Sequence, residues 1–78
     1  MKYIIFANGS PVIFPDSVGH KEVAGNKMVV SAGFCRIETF RNQWDDVRAK
    51  VSVWGKSTSL GVKSNPEDAK IIERIWVC

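Results

Sequence analysis

Gly55-Lys56-Ser57-Thr58 has the ending of a phosphate-binding P-loop, in which backbone N–H groups and a lysine cradle phosphate oxygens. The rest of that motif is missing. The position five residues before Gly55 holds Lys50 where a glycine is required, and no helix can be read after Thr58 to aim N–H groups at an anion. NTP hydrolysis is therefore not expected. His20 is the single histidine, and a metal site would need it together with Cys35, Cys78 or carboxylates that show no ligand spacing. Ser17 and His20 fall within one turn of a possible helix, but no acid is placed to orient the imidazole, so a capping or surface role is the default for both. Asp45-Asp46 could hold Mg²⁺, yet two adjacent acids in a polar loop are more often simply solvated. Glu67 and Asp68 are explained by the positive end of a helix dipole. The reading is of a binding protein, not an enzyme, with no catalytic residue, metal site or cofactor.

Charge says where binding would occur. Residues 1–46 hold five basic and five acidic residues and balance at zero, while residues 64–78 hold two basic and three acidic and sum to −1. The net charge of +3 therefore originates in Arg48, Lys50, Lys56 and Lys63, a segment with no acid. Arg48, Lys50 and Trp54 share the even-numbered face of a strand, and Ser57, Thr58 and Ser59 add hydroxyls between Gly55 and Gly61. Phosphate oxygens accept from such a set, and an aromatic beside cations can stack a base. The expected ligand-binding residues are Arg48, Lys50, Trp54, Lys56, Ser57 and Ser59, together with His20. The competing reading is a solvated strand face whose lysines discourage edge pairing, with Trp54 in the core. A charge of +3 is small for a duplex-DNA binder, so an anionic small molecule such as a nucleotide, or a short single strand, fits better than long duplex DNA.

The elements that must position these residues follow from periodicity and turn chemistry. Seventy-eight residues, 45% hydrophobic and 24% charged, make a single small domain (1–78) that folds, near the size where one core is barely sufficient and homo-oligomerisation helps. Lys2–Ala7 and Val12–Phe14 flank Asn8-Gly9, the strongest short hairpin signal, and Pro11 with Pro15 places the second strand on a sheet edge. Asp16 or Ser17 is expected to cap a short helix that exits at Gly25-Asn26. Met28–Phe40 and Val47–Val62 alternate apolar and polar residues, and each switches phase beside a glycine, Gly33 and Gly55. That pattern predicts two bent antiparallel partners joined by the polar loop 41–46. An alternative folds Val47–Trp54 back onto Ser57–Val62 as a tight hairpin around Gly55-Lys56. Ser64-Asn65-Pro66-Glu67-Asp68 starts a terminal helix whose inner face would carry Ala69, Ile72, Ile75 and Trp76. The fold class is α+β: a small antiparallel sheet with an N-terminal β-hairpin, a short helix and a C-terminal helix packed on one face, with both helices on one side.

No run approaches the about 20 apolar residues of a membrane-spanning helix, and the opening Met1–Phe6 reads as a strand, not a secretion signal. With two cysteines, a reduced cytoplasmic setting is expected, with Cys35 a small buried hydrophobe and Cys78 a frayed end.

Three segments, Met1-Lys2-Tyr3-Ile4-Ile5-Phe6, Val30-Ser31-Ala32-Gly33-Phe34-Cys35 and the run from Ser59 to Ala69, resemble short uncharacterised accessory proteins of tailed bacteriophages. They cover under half the chain and contain no active-site signature. The resemblance implies a phage accessory protein acting in the host bacterial cytoplasm. Such proteins often serve counter-defence, by sequestering a nucleotide signal or by occupying a host protein's surface. The expected function is non-enzymatic binding of a phosphate-bearing small molecule. The alternatives are a protein–protein inhibitor or oligomeric interaction module anchored by Trp44, Trp54 or Trp76, and a single-stranded nucleic-acid binder.

Overall fold

Asn8 and Gly9 make the turn their sequence demands. Gly9 adopts φ 86°, the Asn8 side chain accepts from the Ser10 N–H, and β1 (Lys2–Phe6) folds back on β2 (Pro11–Phe14). The structure, a computed structural model, describes residues 1–76, with Trp76 by its backbone only. Cys78 lies outside the described residues. The four longer strands form an antiparallel sheet of order β2-β1-β3-β4, with β3 at Val29–Arg41 and β4 at Val47–Trp54, so proline-bearing β2 is an edge strand as expected.

Tyr3, Ile4 and Ile5 are all buried, at 0%, 0% and 2% exposure. Successive strand residues point to opposite faces, so a central strand buried at every position needs cover on both sides. Tyr3 and Ile5 join Cys35, Val51 and Ile72 in a core beneath α2 (Asp68–Trp76), while Ile4 joins Phe14, Ala24 and Ala32 in a second core beneath α1 (His20–Ala24). The α+β fold, the hairpin and the C-terminal helix on one face are as expected. The short helix, however, covers the opposite face, which corrects the expectation of both helices on one side.

The same two-sidedness accounts for the phase switch in β3. In β3, Ala32 faces the α1 side and Cys35 and Ile37 the α2 side. The apolar phase changes where the covering helix changes, and no bulge at Gly33 is involved. The bulge lies earlier: Ile5 pairs with Ser31 but Phe6 pairs with Val29, which leaves Val30 without a partner. Gly33 has a different job. A Cβ there would sit 2.6 Å from the Trp54 carbonyl oxygen and 3.2 Å from Ser64 Cβ, so only glycine admits the chain where it leaves β4.

Val47–Val62 is neither one bent strand nor a hairpin of Val47–Trp54 on Ser57–Val62. The first half pairs with β3 from Arg41↔Val47 to Phe34↔Trp54. Gly55 then turns at φ 79°, and the rest forms its own two-stranded sheet, β5 (Lys56–Ser57) with β6 (Val62–Lys63). Since β1 pairs only with the first part of β3, the outer β3–β4 segment extends as a two-stranded ribbon, and the molecule measures 43 × 24 × 18 Å.

The helix ends differ in how they are held. At α1 the N-cap is Gly19 with no side-chain cap, because Asp16 instead pairs with the Met1 amino group at 3.1 Å, and the predicted Asp16/Ser17 cap does not form. Burial of His20 and Ala24 holds the helix, and Gly25 at φ 57° ends it as expected. At α2 a reciprocal cap forms: Asn65 Oδ1 accepts from the Glu67 N–H at 3.0 Å and Asp68 Oδ2 from the Asn65 N–H at 3.0 Å. The buried arc of α2 centres on Asp68 and Ile72 with Ala69 and Ile71 beside it, so Ile75, expected inside, is 51% exposed.

Candidate functional site

The β5–β6 ribbon, the start of α2, the end of β1 and the β3 bulge enclose an open groove of about 1160 Å³. Its polar lining includes Lys56, Thr58, Lys63 and Ser64, and its apolar lining includes Phe6, Val30, Val62 and Ile71. Lys56 and Lys63 stand directly opposite each other across β5 and β6. Like charges in that relation repel and weaken a two-stranded ribbon. Among the described residues the ion pairs are Met1–Asp16, Arg36–Glu38 and Arg41–Asp45, so no acid neutralises either lysine.

Two acids border the groove. Asp68 is 3% exposed, and its Oδ2 is turned inward, accepting from the Tyr3 hydroxyl at 2.6 Å and from the Asn65 N–H. Burial, then the adjacent Asp68 carboxylate, pushes the Tyr3 phenol far above its usual range, so it stays protonated and donates. Glu67 is exposed on the rim and leaves the groove with a single outward-facing acid against two lysines. Ser57 is buried, with Oγ accepting from the Leu60 N–H and lying 3.3 Å from Ser59 Oγ, so both hydroxyls shape the β5–β6 turn. Gly55-Lys56-Ser57-Thr58 runs into this strand and turn.

Of the residues singled out from sequence, Lys56 and Ser57 line the groove and Ser59 supports it from the turn. Arg48 and Lys50 stand elsewhere, on the outer β3–β4 ribbon. Lys50 is opposite Glu38, itself bound to Arg36 at 3.1 Å, and Arg48 is opposite Phe40. Trp54 stacks on Phe34, with ring centroids 6.4 Å apart and planes at 19°, at the ribbon's root and outside the groove. His20 is packed in the core: Nε2 lies 2.9 Å from the Gly33 carbonyl oxygen, with Phe14 and Phe34 edge-on to the ring. The four cations thus form two separate pairs. Lys63 was legible as one of the four, whereas Val30 and Ser64 carried no chemical signal and reach the groove only through the bulge and the β6–α2 connection.

A second feature is the ribbon tip. Asn42 Oδ1 accepts from the N–H groups of Trp44 and Asp46, Asp45 takes φ 63°, and Arg41 bonds Asp45 at 2.9 Å. This fixed turn holds Trp44 68% exposed, near Phe40 at 52% and Val47 at 54%. Asp45 and Asp46 are thus used in the turn, and among the described residues no group of three metal-binding side chains occurs. Among the described residues no helix is long and apolar enough to cross a membrane. No protein-family model, curated protein or solved structure gives a significant match to the chain.

Proposed function

We propose that the protein binds a phosphate-bearing small molecule of the nucleotide class in the groove, with Lys56 and Lys63 as the anion contacts. The observation that carries this reading is the opposed lysine pair, which no acid among the described residues neutralises, on the wall of a groove large enough for a small organic molecule. A phosphate between the two ammonium groups turns their mutual repulsion into two charge-assisted hydrogen bonds. Thr58 and Ser64 also line the groove and supply further donors. The role is binding without turnover. With the resemblance to phage accessory proteins it becomes sequestration of a nucleotide signal in the host cytoplasm. The experiment is a thermal-shift screen of the chain against mononucleotides, dinucleotides and inorganic phosphate. A ligand at a hundred times its Kd stabilises the folded state by about 2.7 kcal/mol, which raises Tm by roughly 10 °C or more in a domain of this size. No shift with any nucleotide overturns the reading.

A second reading rests on the ribbon tip: Trp44 on a fixed turn suits an anchor for a partner protein, because its immobilisation cost is already met on folding. Its sign is tight, salt-insensitive binding to a host protein that Trp44→Ala abolishes.

A further inference from the structure

We infer that the groove selects an organic phosphate ester whose planar apolar group, a nucleobase, lies against Val30, over free phosphate or polyphosphate. The inference rests on the proposal of a phosphate site at Lys56 and Lys63 and goes further by assigning a role to the exposed Val30 in the same groove.

The bulge in β3 is the starting point. A bulged residue loses its cross-strand partner and its side chain is re-aimed, and bulges concentrate beside binding sites for that reason. Here the extra residue is Val30, 56% exposed between half-buried Val29 and buried Ser31, and it lines the groove. With regular pairing Phe6 would face Val30; the shift to Val29 frees Val30 from the ladder. Phe6 and Val62, which pack toward the α1-side core, and Ile71, which packs toward the α2-side core, also line the groove, and Lys27 Nζ lies 5.5 Å from the Phe6 ring centroid. Val62 and Lys63 are consecutive in β6, and both line the groove.

A phosphate alone would use the lysines and leave Val30 in water. A nucleotide uses both, since its anionic group pairs with the lysines while its base covers apolar surface that the fold leaves open. The groove's volume, about 1160 Å³, leaves room for a nucleotide.

The test titrates AMP, adenosine and pyrophosphate into ¹³C-methyl, ¹⁵N-labelled full chain, the Val30→Asn variant and the Lys56→Gln/Lys63→Gln variant. The expected result is ring-current shifts on the Val30 and Val62 methyls with AMP, and AMP affinity at least about tenfold above that of pyrophosphate or adenosine. Val30→Asn, at an exposed position that leaves both cores intact, should weaken AMP by about tenfold and leave pyrophosphate unchanged. The double lysine variant should weaken both. Equal affinity for AMP and pyrophosphate, with no effect of Val30→Asn and no methyl shifts, overturns the base assignment while the phosphate site stands. Absence of binding by all three compounds overturns both.

Discussion

Tyr3 Oη lies 2.6 Å from Asp68 Oδ2 across a sequence separation of 65 residues, tying the central strand to the first turn of α2. The same oxygen accepts from the Asn65 N–H, so one carboxylate caps the helix and fixes it to the sheet. Tyr3→Phe should therefore cost about 1.5–3 kcal/mol, the range for a buried hydrogen bond to a charged group. Urea unfolding followed by Trp fluorescence measures it. A loss below about 0.5 kcal/mol would show that the bond contributes little.

The same contact sets an alkaline limit. The folded-state pKa of Tyr3 is raised above the ordinary value of 10.0, first by burial and then by Asp68. The stabilisation from holding that proton is complete below about pH 10 and is lost as pH rises further toward the folded value. Tyr3 is the single tyrosine, so phenolate absorbance reports it alone. Absorbance should appear together with unfolding, well above pH 10, and Tyr3→Phe should lack this component of the alkaline loss of stability.

Gly33 and Gly55 control the exit from β4. Gly33→Ala places Cβ against the Trp54 carbonyl, where backbone must move, and Gly55→Ala combines φ 79° with a Cβ 2.9 Å from the Phe34 ring. Each should destabilise by about 1–3 kcal/mol in denaturant titrations. Because the displaced chain leads straight into Lys56, any folded remnant should also bind nucleotide less tightly.

Cys35 is buried as a free thiol, and burial pushes its pKa up. Alkylation at Cys35 by iodoacetamide at pH 8 should be slow in native protein and fast in denaturant, read by peptide mass. Rapid native labelling would contradict the packing of the core beneath α2.

The hairpin, both helices and the α2 cap were legible from Asn8-Gly9, Gly25 and Asn65-Pro66, whereas the two-sided burial of Tyr3-Ile4-Ile5 went against the expectation of both helices on one side. The phase switches in residues 28–40 and 47–62 were visible, but a change of covering helix and a bend leave the same pattern. Periodicity reports which residues are buried, not which face covers them. Lys56 was recognisable from the Gly-Lys-Ser-Thr tetrapeptide. Its pairing with Lys63, and the separation of both from Arg48 and Lys50, depended on a two-residue strand pair and a turn at Gly55, too short to leave a periodic signal. Val30 depended on a bulge that no local residue announces.

The measurement that bears most directly on the account compares two charge reversals by nucleotide titration: Lys56→Glu/Lys63→Glu in the groove and Arg48→Glu/Lys50→Glu on the ribbon. Both variants change net charge equally, so general electrostatic attraction falls alike. AMP binding should be lost in the groove variant and largely kept in the ribbon variant. Binding that survives in the groove variant and disappears in the ribbon variant would contradict a phosphate site at Lys56 and Lys63.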